Sequence, residues 1–232
     1  MARRTAREPL QYLTGVQEFW SLSFHVTPAV LIPRPETEAI VETFLRLNRR
    51  PDPLVLDVGT GSGCLAVAVA REVPGARVLA CDQSEDALAV ARDNARRHGV
   101  ADRIRFERGD LLEAFRPAGI TGRADFILCN PPYVPEGALA GLSPEVRDHE
   151  PRAALVAGSD GLDVHRRMAA GGAGFLRPAG VDGDGGHLIV EFGMGQEPGV
   201  RAVYAPAAGW TVVEVRADLA GIPRLAVLRA AG

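Results

Sequence analysis

Asn130-Pro131-Pro132-Tyr133 combines the residue types needed to hold a planar nitrogen. An amide or exocyclic amino nitrogen has its lone pair delocalised and is a poor nucleophile. Acceptors that take its two N–H bonds can position it and favour a more tetrahedral nitrogen. The Asn130 side-chain oxygen and the Pro131 carbonyl can do this. The two prolines stiffen the loop, which lowers the cost of organising it. The Tyr133 ring can stack on the planar group. Asn and Pro also favour ordinary turns, and the tetrapeptide alone leaves that reading open. A second constellation stands upstream, where Leu54-Val55-Leu56-Asp57-Val58 runs into Gly59-Thr60-Gly61-Ser62-Gly63. A strand, a glycine turn and a helix start let backbone approach a ligand closely. Asp82 closes the next apolar run about 20 residues on, where an acidic side chain can take both ribose hydroxyls. A dinucleotide fingerprint wants glycine at the position of Cys64, and here the glycines fall as Gly-x-Gly-x-Gly. That spacing disfavours a pyrophosphate cradle; a tight turn with no ligand is the competing reading.

These residues need a scaffold that brings two distant loops together. The apolar runs 54–58, 77–81, 104–108, 125–129 and 187–192 read as strands, and 65–71, 85–97 and 164–176 as helices. Gly99 is a good stop for the helix before it. Strands alternating with helices give a mostly parallel α/β sheet covered on both faces, with ligands beyond the carboxyl ends of its strands. Runs 211–215 and 225–228 follow each other without a clear helix and can form an antiparallel hairpin at the sheet edge. Ahead of all this, 17–20 and 23–26 can pair as a short hairpin across Ser21-Leu22. The prolines of Ile32-Pro33-Arg34-Pro35-Glu36 fix an extended stretch, and a helix should start near 35–37 and reach 47. A turn of helix is expected over 200–204, and a surface loop over 177–186. The division expected is a front segment with its hairpin over 1–34, then the α/β domain over 35–232.

Bulk properties narrow the classes. The chain has 232 residues, 47% of them hydrophobic, which suits one large core. A formal net charge of −3 with no long basic run argues against a life on nucleic acid. All basic residues are Arg, a composition bias without evident chemistry. Cys64, Cys81 and Cys129 form no metal-type pair and read as small buried hydrophobes, which fits a reducing compartment. His25, His98, His149, His165 and His187 show no ligand spacing, and no metal site is expected. Ser62 has no visible His partner and is no triad nucleophile. Nothing resembles a signal peptide or the roughly 20 apolar residues of a membrane span.

The glycine loop resembles that of Rossmann-like methyltransferases, whose ligand is S-adenosyl-L-methionine, and Asp57 fits the acidic position common just ahead of it. In such folds the residues after the third strand flank the adenine, which makes Asp110 and Leu111 candidates. The glycine loop and the Asn-Pro-Pro-Tyr loop together resemble amino-methyltransferases, a class with adenine-N6 and protein glutamine-N5 members. Flanking sequence narrows the class. Glu8-Pro9-Leu10-Gln11-Tyr12-Leu13-Thr14-Gly15, Glu18-Phe19-Trp20 and Val30-Leu31-Ile32-Pro33-Arg34-Pro35-Glu36-Thr37-Glu38 are similar to the signature run of the HemK/PrmC family, the release-factor glutamine N5-methyltransferases. Glu150-Pro151-Arg152-Ala153-Ala154-Leu155, residues 158–162, Glu191-Phe192-Gly193 with Gln196, and Asp218-Leu219-Ala220-Gly221 extend the resemblance over 8–228.

The resemblance implies a Rossmann-like class I methyltransferase with a seven-stranded sheet. It implies cytoplasmic N5-methylation of the glutamine in the Gly-Gly-Gln motif of peptide chain release factors. By the same resemblance Gly59, Thr60, Gly61, Ser62, Gly63, Asp82, Asp110, Leu111 and Asn130 contact the donor. Asn130, Pro131 and Tyr133 are catalytic, Asn130 to Tyr133 including Pro132 hold the glutamine, and Phe19 and Arg34 border its channel. Arg34 and Glu36 can equally form a solvated pair, and Glu38 reads as a first-turn helix acid. The family carries an N-terminal helical domain that helps grip the release factor. Only a few residues precede Arg7 here, so that domain is expected to be missing, which would weaken the grip more than the chemistry. The usual turn before the later strand reads Arg177-Pro178-Ala179-Gly180 with extra residues 181–185, and Ile222-Pro223 replaces a charged pair. Other substrates are a ribosomal-protein glutamine, or a nucleic-acid adenine, which would call for a basic face or a base-recognition insert. A non-catalytic donor-binding remnant is opposed by the intact motifs.

Overall fold

The computed structural model describes residues 2–180 and 185–231. Part of the expected 177–186 loop and most of the extra residues 181–185 lie outside the described residues. In chain order the elements are α1 (Ala2–Thr5), α2 (Leu10–Thr14), β1 (Val16–Phe19), β2 (Leu22–His25), α3 (Glu38–Leu47), β3 (Leu54–Val58), α4 (Cys64–Glu72), β4 (Arg77–Asp82), α5 (Glu85–Arg97), β5 (Ile104–Arg108), β6 (Phe126–Cys129), α6 (Pro144–His149), α7 (Asp163–Gly171), β7 (His187–Glu191), α8 (Glu197–Val203), β8 (Trp210–Ala217) and β9 (Pro223–Ala230), with short 3₁₀ turns between.

Seven strands form one sheet in the order β5-β4-β3-β6-β7-β9-β8. The first five are parallel, while β9 runs antiparallel to both β7 and β8, the expected edge hairpin. From β3 the chain winds one way through β4 and β5, then crosses back to lay β6 on the other side of β3. That reversal opens a crevice at the carboxyl ends of β3 and β6. Their register pairs Val58 with Cys129, which sets Gly59 beside Asn130. The central strands are buried on both faces, and each face carries its own apolar cluster. On one face α3 places Phe44 edge-on to Phe126 of β6 at a centroid distance of 4.9 Å, a contact worth about 1 kcal/mol beyond burial.

Three local expectations shift. The front hairpin turns at Trp20-Ser21, one residue before the dipeptide expected, with Phe19 opposite Leu22. Both turn residues have positive φ, 53° and 55°, the twist a two-residue hairpin loop demands, here met without the usual Asn or Gly. Helix α7 stops at Gly171, short of 176, where a glycine-rich 3₁₀ turn over Gly172–Gly174 takes over. The surface helix α6 was not expected; it is short, with proline at its first turn and no buried face.

Candidate active site

The residues at the carboxyl ends of β3, β4, β5 and β6 line a cavity of about 180 Å³. Asp57, the one polar residue of β3, organises its floor. Its Oδ2 accepts from the Thr60 hydroxyl at 2.6 Å and the Ala66 N–H at 3.2 Å, tying the glycine turn to the start of α4. Its Oδ1 is buried and has no hydrogen-bond partner among the described residues. Burial pushes the Asp57 carboxyl up to about 7, against the pull of Thr60 and Ala66. Asn94 of α5 holds the turn from behind, donating to the Ser62 carbonyl and the His25 carbonyl at 2.9 Å each. Asp82 bounds the cavity with both oxygens in use: Oδ2 takes the Gly61 N–H and Oδ1 the Ser84 N–H, each at 3.0 Å. Each oxygen keeps a further lone pair for a ligand hydroxyl.

Several of the expected donor contacts face this cavity: Gly59, Gly61, Asp82, Leu111 and Asn130 line it, with Pro132. Leu111 is held at φ 50°, a left-handed conformation costly for leucine, and its carbonyl accepts from Cys81 Sγ. Thr60, Ser62 and Gly63 do not line it. They build the turn instead: Thr60 bonds Asp57, Ser62 is 2% exposed, and Gly63 packs on Ala91. Asp110 does not line it either, but its carboxylate bonds Arg167 and Gln83, which do.

A second cavity, of about 200 Å³, opens beside the first. Pro131, Tyr133 and Arg34 line it, and Asn130, Leu31 and Ala154 are shared by both cavities. Arg34 bonds Glu150 at 2.6 Å rather than Glu36. Phe19, expected on this channel, lies 1% exposed in the core against Phe24 and lines neither cavity. Glu38 Oε1 accepts the Trp20 N–H at 2.7 Å and steadies the hairpin turn.

The feature that sequence did not give is a buried polar network behind Asn130. Asn130 Nδ2 donates to Thr37 Oγ1 at 2.9 Å, and the Thr37 hydroxyl donates to Glu191 Oε2 at 2.7 Å. The Tyr133 hydroxyl donates to Glu191 Oε1 at 3.3 Å. Thr37 is 2% exposed and Glu191 3%. Burial pushes Glu191 up to about 7, with the Thr37 and Tyr133 donors and Arg224 pulling down and Glu36 pushing up. Burial and Glu191 raise the Tyr133 hydroxyl, which keeps it a donor. Among the described residues, Asn130 Oδ1 has no protein partner. Gln196 fixes the far end of the loop, donating to the Tyr133 carbonyl at 2.9 Å. Among the described residues no cluster of His, Cys, Asp or Glu is placed to hold a metal, and no helix is long and apolar enough to cross a membrane.

This chain matches the family model described as a methyltransferase small domain over residues 36–141. It is 49% identical over 206 residues to a release factor glutamine methyltransferase of Geobacter sulfurreducens, covering 88% of this chain and 68% of that protein. It is 44% identical over 230 residues to the protein of the same name from Nitratidesulfovibrio vulgaris, covering 99% of this chain and 75% of that one. A methyltransferase from Pyrococcus furiosus shares the fold at a TM-score of 0.63 and 18% identity, over 100% of this chain and 98% of its own.

Proposed function

The chain belongs to the release factor glutamine methyltransferase family, and from that premise we propose that it methylates the side-chain nitrogen of a glutamine presented by a release factor. The glutamine we assign is that of the Gly-Gly-Gln motif, and the methyl donor is S-adenosyl-L-methionine. The observation that carries this reading is the place of Asn130, whose side chain lines both cavities and whose Oδ1 has no partner among the described residues.

The residues of the first cavity fit the donor. An added Cβ at Gly59 or Gly61 would meet nothing within 4 Å, so both face open space, and both have positive φ. The Asp82 lone pairs suit a ribose diol, and the orphaned Asp57 Oδ1 suits a nearby cation or donor. Bound there, the donor supplies an electrophilic methyl group on a sulfonium. The rest falls to the chain. Asn130 Oδ1 and the Pro131 carbonyl accept the two N–H bonds of the glutamine amide. They hold its nitrogen at the junction of the cavities and draw density toward it. The Tyr133 ring borders the amide plane, and Pro131 and Pro132 keep the loop from relaxing. As the N–CH3 bond forms the S–CH3 bond breaks, leaving a neutral thioether, and the methylated nitrogen gives up one N–H proton to water. No strong base is required beforehand, since placement of the two reactants supplies much of the acceleration.

The test is transfer of labelled methyl groups to purified release factor, with the glutamine-to-alanine release factor as control. Label on the native protein and none on the control supports the assignment. Label on a ribosomal protein, or on adenine in DNA or RNA, with none on release factor, would reverse it.

A further inference from the structure

An asparagine amide has a donor end and an acceptor end of nearly the same shape. Asn130 can hold a substrate N–H only if its oxygen faces the cavity and its nitrogen faces away. The loop itself does not choose between the two. The choice is made by two residues from distant parts of the chain. Thr37 lies between the front hairpin and α3, and Glu191 ends β7. We propose that Thr37 and Glu191 are positioning residues that set the polarity of the Asn130 amide through a one-way chain of hydrogen bonds.

The argument rests on counting hydrogens. A carboxylate only accepts, and a hydroxyl has one hydrogen to give. Glu191 Oε2, at 2.7 Å, takes the hydrogen of Thr37. Thr37 then turns a lone pair toward Asn130, and only an N–H can meet it, as Nδ2 does at 2.9 Å. The amide oxygen is thereby left toward the cavity. Turning the amide over would set oxygen against oxygen in a site closed to water. Glu191 also receives the Tyr133 hydroxyl, so a single carboxylate sets both the acceptor amide and the ring beside it. A buried carboxylate is costly, and apolar replacement of such groups is often stabilising. A role in orienting Asn130 accounts for its presence where packing alone does not. The proposal rests on the reading that Asn130 Oδ1 receives the glutamine N–H.

The experiment is single-turnover methyl transfer to release factor at saturating donor and acceptor, for the wild type, Thr37→Val, Thr37→Ser and Glu191→Gln. Donor affinity by calorimetry and melting temperature are measured alongside. Thr37→Val keeps the shape and removes the relay, and its rate should fall about 10- to 100-fold, the scale seen when an outer partner that orients a reacting group is lost. Donor affinity should stay within about twofold, since neither residue lines the donor cavity. Thr37→Ser restores the hydroxyl and should recover to within about threefold of the wild type. Glu191→Gln can donate to Thr37 and free its hydrogen for the Asn130 oxygen, so it should lose rate while melting no lower than the wild type. Folded Thr37→Val at wild-type rate, Glu191→Gln at wild-type rate, or no recovery in Thr37→Ser overturns the relay. If the wild type transfers methyl groups and only the variants disagree, the relay alone fails. If the wild type transfers none to glutamine, the underlying reading fails and the relay with it.

Discussion

Asp82 carries two loads, and replacing it separates them. Its oxygens accept one backbone N–H each, from Gly61 and Ser84, both at 3.0 Å. Their remaining lone pairs are the ones assigned to the donor ribose. Asp82→Ala removes all of this. Hydrogen bonds to a charged group contribute roughly 1.5–3 kcal/mol each when well formed, and partial exposure of Asp82 puts these at the low end. Donor affinity should weaken by about 1–3 kcal/mol, or roughly 5- to 150-fold in Kd. Without donor, the variant should also lose about 1–2 kcal/mol of stability, because the Gly61 and Ser84 N–H groups lose their acceptor. Asp82→Asn should fall between, since its amide must turn a donor toward one of those two N–H groups. Calorimetric titration with S-adenosylmethionine reads the first load and thermal unfolding without donor reads the second. An Asp82→Ala protein that binds donor within threefold of the wild type refutes the ribose assignment, whatever its melting temperature does.

Asn130→Ala should slow single-turnover transfer by roughly 10²–10³, the scale of losing one preorganised hydrogen-bonding group. Asn130→Asp keeps an acceptor but sets a carboxylate oxygen against the Thr37 lone pair, so it should be nearly as slow; a wild-type rate in either variant contradicts the role. Transfer should also slow as pH falls through about 7, where Glu191 gains a proton and becomes able to donate to Thr37; a pH–rate profile unchanged in Glu191→Gln would contradict this. The stability sign runs the other way. A carboxyl raised from 4.5 to about 7 binds more protons folded than unfolded in that window, so its contribution is full below about 4.5 and lost as pH rises through about 7. Glu191→Gln should therefore gain stability relative to the wild type as pH rises from 5 to 8, by up to about 3 kcal/mol, seen as a rising melting-temperature difference, and Asp57→Asn should drift the same way. Gly63→Ala should cost about 2 kcal/mol or more, since φ is 81° there and a Cβ would sit 3.1 Å from Ala91 Cβ; an unchanged melting temperature would show that the turn relaxes.

The parallel sheet and its two loops were legible because local pattern determines them. Apolar strands ending in glycine or in Asn-Pro-Pro declare themselves within a few residues, and the switch between β3 and β6 then brings the loops together. Roles that depend on a side chain's direction were not legible. Asp110 follows β5 as expected, and its carboxylate pairs with Arg167 of α7, a cavity-lining residue that no spacing in the sequence joins to it. Phe19 sits in the run that carries the resemblance, but strand alternation turns it inward onto Phe24. The hairpin turn was misplaced by one residue because Trp20 and Ser21 take positive φ with no turn residue to announce it. In the sequence Thr37 and Glu191 stand only within longer runs that resemble the family. They lie 154 positions apart, and no spacing rule joins them.

This difference between local and distant determinants divides the site itself. The donor side is held by contacts among neighbouring loops: Asp57 to Thr60, Asp82 to Gly61, and Asn94 to Ser62. The acceptor side is held by the front segment. Glu150 accepts from the Ile32 N–H and from Arg34, and Thr37 holds Asn130, whereas Tyr12 donates at 2.6 Å to the carbonyl of Val30, which lines the first cavity. The two halves share only Leu31, Asn130 and Ala154 among the described residues that line the cavities. Disturbing the Arg34–Glu150 pair or Thr37, neither of them joined to the glycine turn, should therefore move acceptor placement and rate while leaving that turn and Asp82 as they are; Ala29 and Val30 of the same front segment line the first cavity and belong to the donor side. Donor affinity and transfer rate are two separable properties of this fold, joined at the Asn130 side chain.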